Sequence, residues 1–173
     1  MAGIFISYRR EDSRADAGRL AKDLKDYLGE GQIFRDIDSI KPGMDFVRAI
    51  KTAVGSSNAL LAIIGPSWLS VKDEHGRPRV EYPQDYVRLE IEAALSRDIQ
   101  VIPILVGGAR MPRETELPNS LSPFARRQAH ELSDSRWDFD VERLAACGIH
   151  CVLVGEALMI SNDVREKMRE FLL

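Results

Sequence analysis

The sequence lacks the features that mark several common classes of protein. It has two cysteines, Cys147 and Cys151, which are too few for a disulfide framework, so we expect a reducing, cytoplasmic environment. The longest apolar stretch, residues 59–65, is far shorter than the roughly 20 residues of a membrane span. No secretory signal is visible at the N-terminus. With 24 Lys and Arg against 27 Asp and Glu, no basic excess predicts nucleic-acid binding.

Sequence motifs for metal binding, for nucleoside-triphosphate hydrolysis and for a bound dinucleotide cofactor are also missing. No Gly-x-Gly-x-x-Gly follows the first apolar run, and there is no P-loop lysine motif. Cys147, His150 and Cys151 form a lone cluster without a second pair, which is poor evidence for zinc. Asp36 and Asp38 suggest a hard-cation site, but the first loop begins with arginine rather than with an acidic pair. We therefore predict no metal and no cofactor.

What the sequence does contain is a regular alternation of strand-like and helix-like segments. Strands are predicted at 4–6, 32–35, 58–64, 100–106 and, with a more polar pattern, 126–132. Helices are predicted at 13–28, with Ser13 as the capping residue, and at 46–54, 87–95 and 137–145. This order predicts an α/β fold, a flavodoxin-like doubly wound sheet of five parallel strands.

Ligands of such sheets bind at the carboxyl ends of the strands, close to the point where strand order reverses. The loops at that edge are the long, polar or aromatic stretches 8–13, 36–43, 65–84 and 107–123. Because binding residues concentrate on loops that a rigid scaffold positions, we expect the functional residues there.

Three segments on these predicted strand and helix ends resemble the Toll/interleukin-1 receptor (TIR) domain family. Residues 3–10, Gly-Ile-Phe-Ile-Ser-Tyr-Arg-Arg, resemble its first box, and residues 33–43, an acidic segment followed by Pro-Gly, resemble its second box and BB loop. Residues 85–91 resemble the helix that carries the family's glutamate, usually written Trp-x-x-x-Glu, with Tyr86 in place of the tryptophan. The resemblance covers residues 1–146, which we take as the domain.

The family includes non-catalytic signalling adaptors and enzymes that cleave NAD at the nicotinamide–ribose bond. Tyr-Arg-Arg after the first strand and Glu90 on the third helix are similar to the bacterial, NAD-cleaving branch, whose members act in defence or virulence. The resemblance implies that NAD+ is a substrate and that Glu90 is the catalytic residue. An ordinary solvated glutamate is the alternative. A non-catalytic TIR–TIR interaction module and a flavodoxin-like or receiver-type switch are the other functions considered.

The resemblance and the loop positions also suggest which residues bind substrate and partners. Tyr8, Arg9 and Arg10 follow the first strand, where arginines suit a diphosphate; alternatively they form surface ion pairs with Glu11, Asp12 or Asp36, and Tyr8 closes the core. Trp68 either stacks on a base or plugs the core under its loop, and Tyr86 packs beside the ribose. Asp36, in the second box, is a further predicted substrate-binding residue. The resemblance implies that the BB loop binds other TIR domains in a homo-oligomer or filament; its residues are Ile40, Lys41, Pro42 and Gly43.

The C-terminal residues 147–173 do not continue the pattern. They are predicted to add a strand and a helix as a short βα appendage. Residues 148–159 resemble the final βα unit of indole-3-glycerol phosphate synthase, a barrel that one unit cannot close. The resemblance has three alternative explanations: a gene-fusion remnant, an added cloning sequence or a chance match.

Overall fold

A computed structural model of the protein describes residues 3–29, 31–35 and 45–149. They form one parallel sheet with the strand order β2-β1-β3-β4-β5. The strands are β1 (Ile4–Ser7), β2 (Ile33–Arg35), β3 (Ala59–Ile64), β4 (Gln100–Leu105) and β5 (His130–Glu131). This order is the flavodoxin-like one, and it confirms the predicted α/β class and doubly wound sheet.

Helices cover both faces of the sheet. They are α1 (Arg10–Leu28), α2 (Phe46–Gly55), α3 (Tyr86–Ser96), the single-turn α4 (Ser122–Ala125) and α5 (Trp137–Arg143), which continues as a π-helical turn at Leu144–Ile149. Apolar residues of α1 and α5 line one core cluster, and those of α2, α3 and α4 line the other. Because both faces are covered, the central strand β3 is apolar at every position, as the sequence predicted.

The two core clusters divide the side chains of β1 by their alternation along the strand. Ile4 and Ile6 lie in the cluster of α1 and α5, whereas Phe5 lies in the cluster of α2 and α3. Ser7, at the end of the strand, is buried as well and follows Phe5 onto the side of α3. The first strand therefore directs its odd-numbered residues to the helix that carries the predicted catalytic glutamate.

The start of the first helix differs from the prediction. Helix α1 begins at Arg10, so the predicted loop from residue 8 to residue 13 is wrong. Ser13 does not cap the helix: its φ of −138° marks a kink, and its buried hydroxyl has no hydrogen-bond partner among the described residues. Asp12 explains the early start, because its carboxylate accepts hydrogen bonds from the backbone of Gly65 and Ser67 and ties the first turn to the end of β3.

Three predicted features lie outside the described residues: Asp36, the BB-loop residues Ile40, Lys41, Pro42 and Gly43, and the appendage from residue 150 onward. Among the described helices, none is both long and apolar enough to cross a lipid bilayer.

Truncation of a central β3 side chain tests the two-sided core. Ile63 is completely buried, so Ile63→Ala is expected to lower the free energy of unfolding by about 2–5 kcal/mol, through lost burial and a residual cavity. Tyr27→Ala, which removes a side chain that is 53% exposed, is the control and should change it by less than about 0.5 kcal/mol. Urea unfolding measures both values. An equally small loss of unfolding free energy in Ile63→Ala and Tyr27→Ala would contradict the two-sided core.

Candidate functional site

The candidate site lies where the strand order reverses, between β1 and β3. In this fold a crevice forms at the carboxyl ends of those two strands. Ser7 ends β1 and Gly65 directly follows β3. Asp12 joins the two ends, because its carboxylate oxygens lie 2.8 Å from the Gly65 amide nitrogen and 2.7 Å from that of Ser67. A Cβ atom at Gly65 would lie 2.6 Å from that carboxylate, so a larger residue there would have to displace the Asp12 side chain.

Glu90 lies beneath this point, on the inner face of α3. Only 2% of the residue is exposed, and the Ser7 hydroxyl donates a hydrogen bond of 2.5 Å to Glu90 Oε2. The other buried residues of α3 are the apolar Val87, Ile91, Ala93 and Ala94. The predicted alternative of a solvated glutamate is therefore wrong, since this carboxylate is enclosed against the end of the first strand.

A buried ion pair joins the same strand end to the start of the same helix. Both Nη atoms of Arg9 donate to the two carboxylate oxygens of Asp85, each at 2.9 Å, and both side chains are 1% exposed. Asp85 is also the N-cap of α3, where it accepts a hydrogen bond of 3.0 Å from the Arg88 amide. The Arg79 Nε atom lies 3.5 Å from the same carboxylate.

This geometry corrects the sequence interpretation of Arg9. Arg9 pairs with Asp85, which lies 76 residues later in the sequence. The sequence alone allows surface ion pairs with Glu11, Asp12 or Asp36 instead. Because both terminal nitrogens of Arg9 are committed to a buried carboxylate, they are not available to a diphosphate in this conformation. Arg10, in contrast, is exposed at the first position of α1.

Two of the three aromatic residues predicted at the substrate site, Tyr8 and Trp68, are in the core. Tyr8 is 6% exposed and packs among the residues of α1 and α5, on the opposite side of the sheet from Glu90. Trp68 is 1% exposed, with its ring 6.0 Å from that of Phe124 and 5.1 Å from the Arg9 guanidinium. Both placements favour the core roles that the sequence left open.

Tyr86 marks the outer end of the site. It begins α3, is 50% exposed, and its ring centroid lies 5.1 Å from that of Phe46, the first residue of α2. Asp45 caps α2 by accepting hydrogen bonds from two amides of its first turn. A cleft of about 500 Å³ adjoins Tyr86, with Tyr82 and Lys72 among its lining residues. Tyr86 is thus the exposed neighbour, one helical turn away, of the enclosed Glu90.

Sequence reasoning did not identify Ser7, Asp12 and Asp85 as parts of the site. A signal existed for Asp85, since an aspartate directly before a helical repeat is a typical N-cap. Side chains alternate between the two faces of a strand, so Ser7 was predictable on the same face of β1 as the apolar Phe5. Nothing in the local sequence indicates that Asp12 reaches the backbone 53 residues later.

The loop after β4 is held at the same edge of the sheet by a second arginine–carboxylate pair. Arg110 donates from both Nη atoms to Glu116, at 2.8 and 2.5 Å. Glu116 also accepts a hydrogen bond from the Arg113 amide. These contacts, with the Arg110 hydrogen bonds contributing most, lower the pKa of Glu116 from 4.5 to about 2.

Comparison with known proteins identifies the family. The sequence model of the TIR domain matches residues 4–146. The chain belongs to the TIR family. The TIR domain of the Toll-related receptor TRR-2 from Hydra magnipapillata shares the fold: it is 19% identical, with a TM-score of 0.51, and the alignment covers 90% of this chain and 98% of that one.

The TIR domains of the activated Roq1 resistosome, whose structure shows direct recognition of the pathogen effector XopQ, are 16% identical. Their TM-score is 0.48, over 99% of this chain and 98% of that one. No curated protein sequence matches the chain. Membership of the family is consistent with TIR-type signalling or NAD cleavage in general, so the choice between them depends on the site itself.

The lowered pKa of Glu116 predicts a pH-dependent contribution to stability. A carboxylate whose pKa is lower in the folded protein stabilises it above the ordinary pKa, and this contribution is lost as pH falls through the folded value. The difference in unfolding free energy between the native protein and Glu116→Gln should therefore be constant above about pH 5.5 and shrink between pH 4.5 and about 2.

Urea unfolding at several pH values measures this difference. Glu114→Gln is the matched control, because Glu114 makes no ion pair among the described residues. A difference for Glu116→Gln that does not change with pH would contradict the role of the Arg110 pair.

Proposed function

We propose that this TIR domain cleaves NAD+ at the nicotinamide–ribose bond and releases nicotinamide. Attack of water on the freed ribose carbon then gives ADP-ribose and a proton, and attack by a nucleophile within the same ADP-ribosyl group gives a cyclic ADP-ribose isomer and a proton. NAD+ is the substrate, no cofactor is needed, and the proposed setting is defence or virulence signalling in the cytoplasm. The observation that carries the proposal is the enclosed Glu90 carboxylate at the switch point of the sheet. Its hydrogen bond from Ser7 holds the carboxylate in one orientation.

The chemistry needs one carboxylate. Nicotinamide leaves a cationic pyridinium as a neutral molecule, so no general acid has to protonate it, unlike the leaving group of most glycosides. The remaining task is to stabilise the oxocarbenium-like ribose and to hold its hydroxyl groups. A preoriented carboxylate in a site that excludes water does this by electrostatics and hydrogen bonding. Glu90 has these properties, and Tyr86 is positioned to pack beside the ribose.

The burial of Glu90 itself supports a functional role. A carboxylate removed from water destabilises a fold unless it is compensated, and an apolar residue would fill an inner helix face at lower cost. Its neighbours on that face are all aliphatic or small. A buried ionisable group at the ligand-binding edge of such a sheet is a candidate for catalysis.

Enclosure also defines a condition for catalysis. With 2% of Glu90 exposed, the ribose reaches the carboxylate only after neighbouring groups have shifted. We propose that association with other TIR domains favours the open form, and that Ile40, Lys41, Pro42 and Gly43 contribute to that contact. The same enclosure supports the second candidate, a non-catalytic TIR–TIR interaction module in which Glu90 and Ser7 serve the fold alone.

Nicotinamide release from NAD+ distinguishes the two functions. Glu90→Gln keeps the shape of the side chain and an acceptor for the Ser7 hydroxyl but removes the charge, so we expect release to fall by at least about a hundredfold. Glu92→Gln, on the same helix and in a partly buried pair with Arg88, is the matched control and should retain release. Circular dichroism verifies that both variants are folded.

Equal release by the native protein and Glu90→Gln would remove Glu90 from the mechanism. No release by the native protein at any concentration, with or without crowding agents, would favour the interaction module.

Activity is also expected to depend on association. If contact between copies favours the open site, the rate of nicotinamide release per molecule should rise with protein concentration, because assembly follows mass action. Light scattering recorded in parallel reports the assembly. A rate per molecule that stays constant while the protein changes from monomer to oligomer would exclude association as the trigger.

A further inference from the structure

We propose that the Arg9–Asp85 ion pair is a positioning device that sets the axial register of α3 on β1 and thereby holds the Glu90 carboxylate at Ser7. Arg9 and Asp85 are thus positioning residues rather than substrate ligands. The catalytic consequence rests on the proposed function, whereas the geometric one does not.

The two contacts between β1 and α3 have matched spacings. Ser7 and Arg9 are two residues apart, a rise of about 6.6 Å along extended backbone. Glu90 and Asp85 are five residues apart, a rise of about 7.5 Å along a helix. Both polar contacts therefore form together in one axial position of the helix. A slide of α3 along the strand would have to break both.

The Arg9 contact is the more restrictive of the two. Two parallel hydrogen bonds of 2.9 Å fix both the distance and the orientation of the planar groups. The remaining donor, Arg9 Nε, is buried and has no hydrogen-bond partner among the described residues. The Trp68 ring lies 5.1 Å from the guanidinium and limits its movement. Asp85 therefore supplies the hydrogen-bonding geometry that holds Arg9 in place.

Asp85 transmits this position to the helix. As the N-cap it holds the amide of Arg88 in the first turn, so its carboxylate is joined both to the strand end and to the start of α3. Tyr86 directly follows it, and Glu90 lies about one turn further along. Displacing Asp85 displaces the first turn of α3, which begins with Tyr86 and directly precedes Glu90.

The rival explanation is that the pair contributes stability alone. Replacing a buried ion pair by apolar or neutral groups is often harmless to stability, so stability and position can be separated. Arg9→Lys keeps the positive charge but lacks the planar fork that makes two parallel hydrogen bonds. Arg77→Lys makes the same replacement in the exposed pair with Asp73 and is the matched control.

The first measurement is the ¹³C resonance of the Glu90 carboxyl carbon in the full chain, assigned by its loss in Glu90→Gln. We expect Arg9→Lys to displace this resonance and Arg77→Lys to leave it unchanged. In nicotinamide release, Arg9→Lys should lower kcat by about ten- to a hundredfold with KM changed less than about twofold, as expected when a reacting group is misplaced.

A second variant covers the case in which Arg9→Lys does not fold. Arg9→Met combined with Asp85→Asn removes both charges, and the asparagine can still cap α3. We expect this double variant to fold with a displaced Glu90 resonance and lowered kcat. A folded variant of either kind with the Glu90 resonance at its native position overturns the proposal.

The two proposals fail in different ways. If the native protein releases no nicotinamide, the proposed function fails, and the Glu90 resonance in the two Arg9 variants still decides whether the ion pair sets the register. If the native protein is active and a folded Arg9 variant keeps both its resonance and its kcat, only the positioning role is lost.

Discussion

The buried ion pair between Arg9 and Asp85 is the interaction on which the candidate site depends. It joins the end of the first strand to the start of the third helix, and it is formed by two side chains that are 1% exposed. Removing one partner would leave an uncompensated charge in the interior, which is strongly destabilising. The chain therefore tolerates little change at one of the two positions alone, and the neighbouring contact between Ser7 and Glu90 forms within the same framework.

The site is part of the protein interior rather than an open pocket. Ser7, Arg9, Asp85 and Glu90 are all buried, and they lie beside the apolar cluster of α2 and α3. Such an arrangement preorients polar groups, which is favourable for electrostatic catalysis, but it separates Glu90 from solvent. The two candidate functions make different demands on this enclosure, because only the proposed NAD+ cleavage requires it to open and admit a ribose.

Much of the fold follows from local patterns. The apolar run at β3 and the helical repeat at α3 are strong signals, and both elements are where the sequence predicts them. The edge strand β5 has only two residues where seven were predicted, because its ladder with β4 spans only that length. The early start of α1 was missed, since the contacts of Asp12 that hold its first turn come from the other end of β3.

The sequence by itself determined the α/β class, the order of the elements and, through resemblance, the family and the helix that carries Glu90. These properties depend on periodicity and on short motifs, which are local. Only the tertiary structure decided that Arg9 and Trp68 are interior residues, that Glu90 is enclosed, and that its partner is Ser7. Those contacts join residues 76 and 83 positions apart, and such pairings arise from strand order and helix packing, which no local pattern encodes.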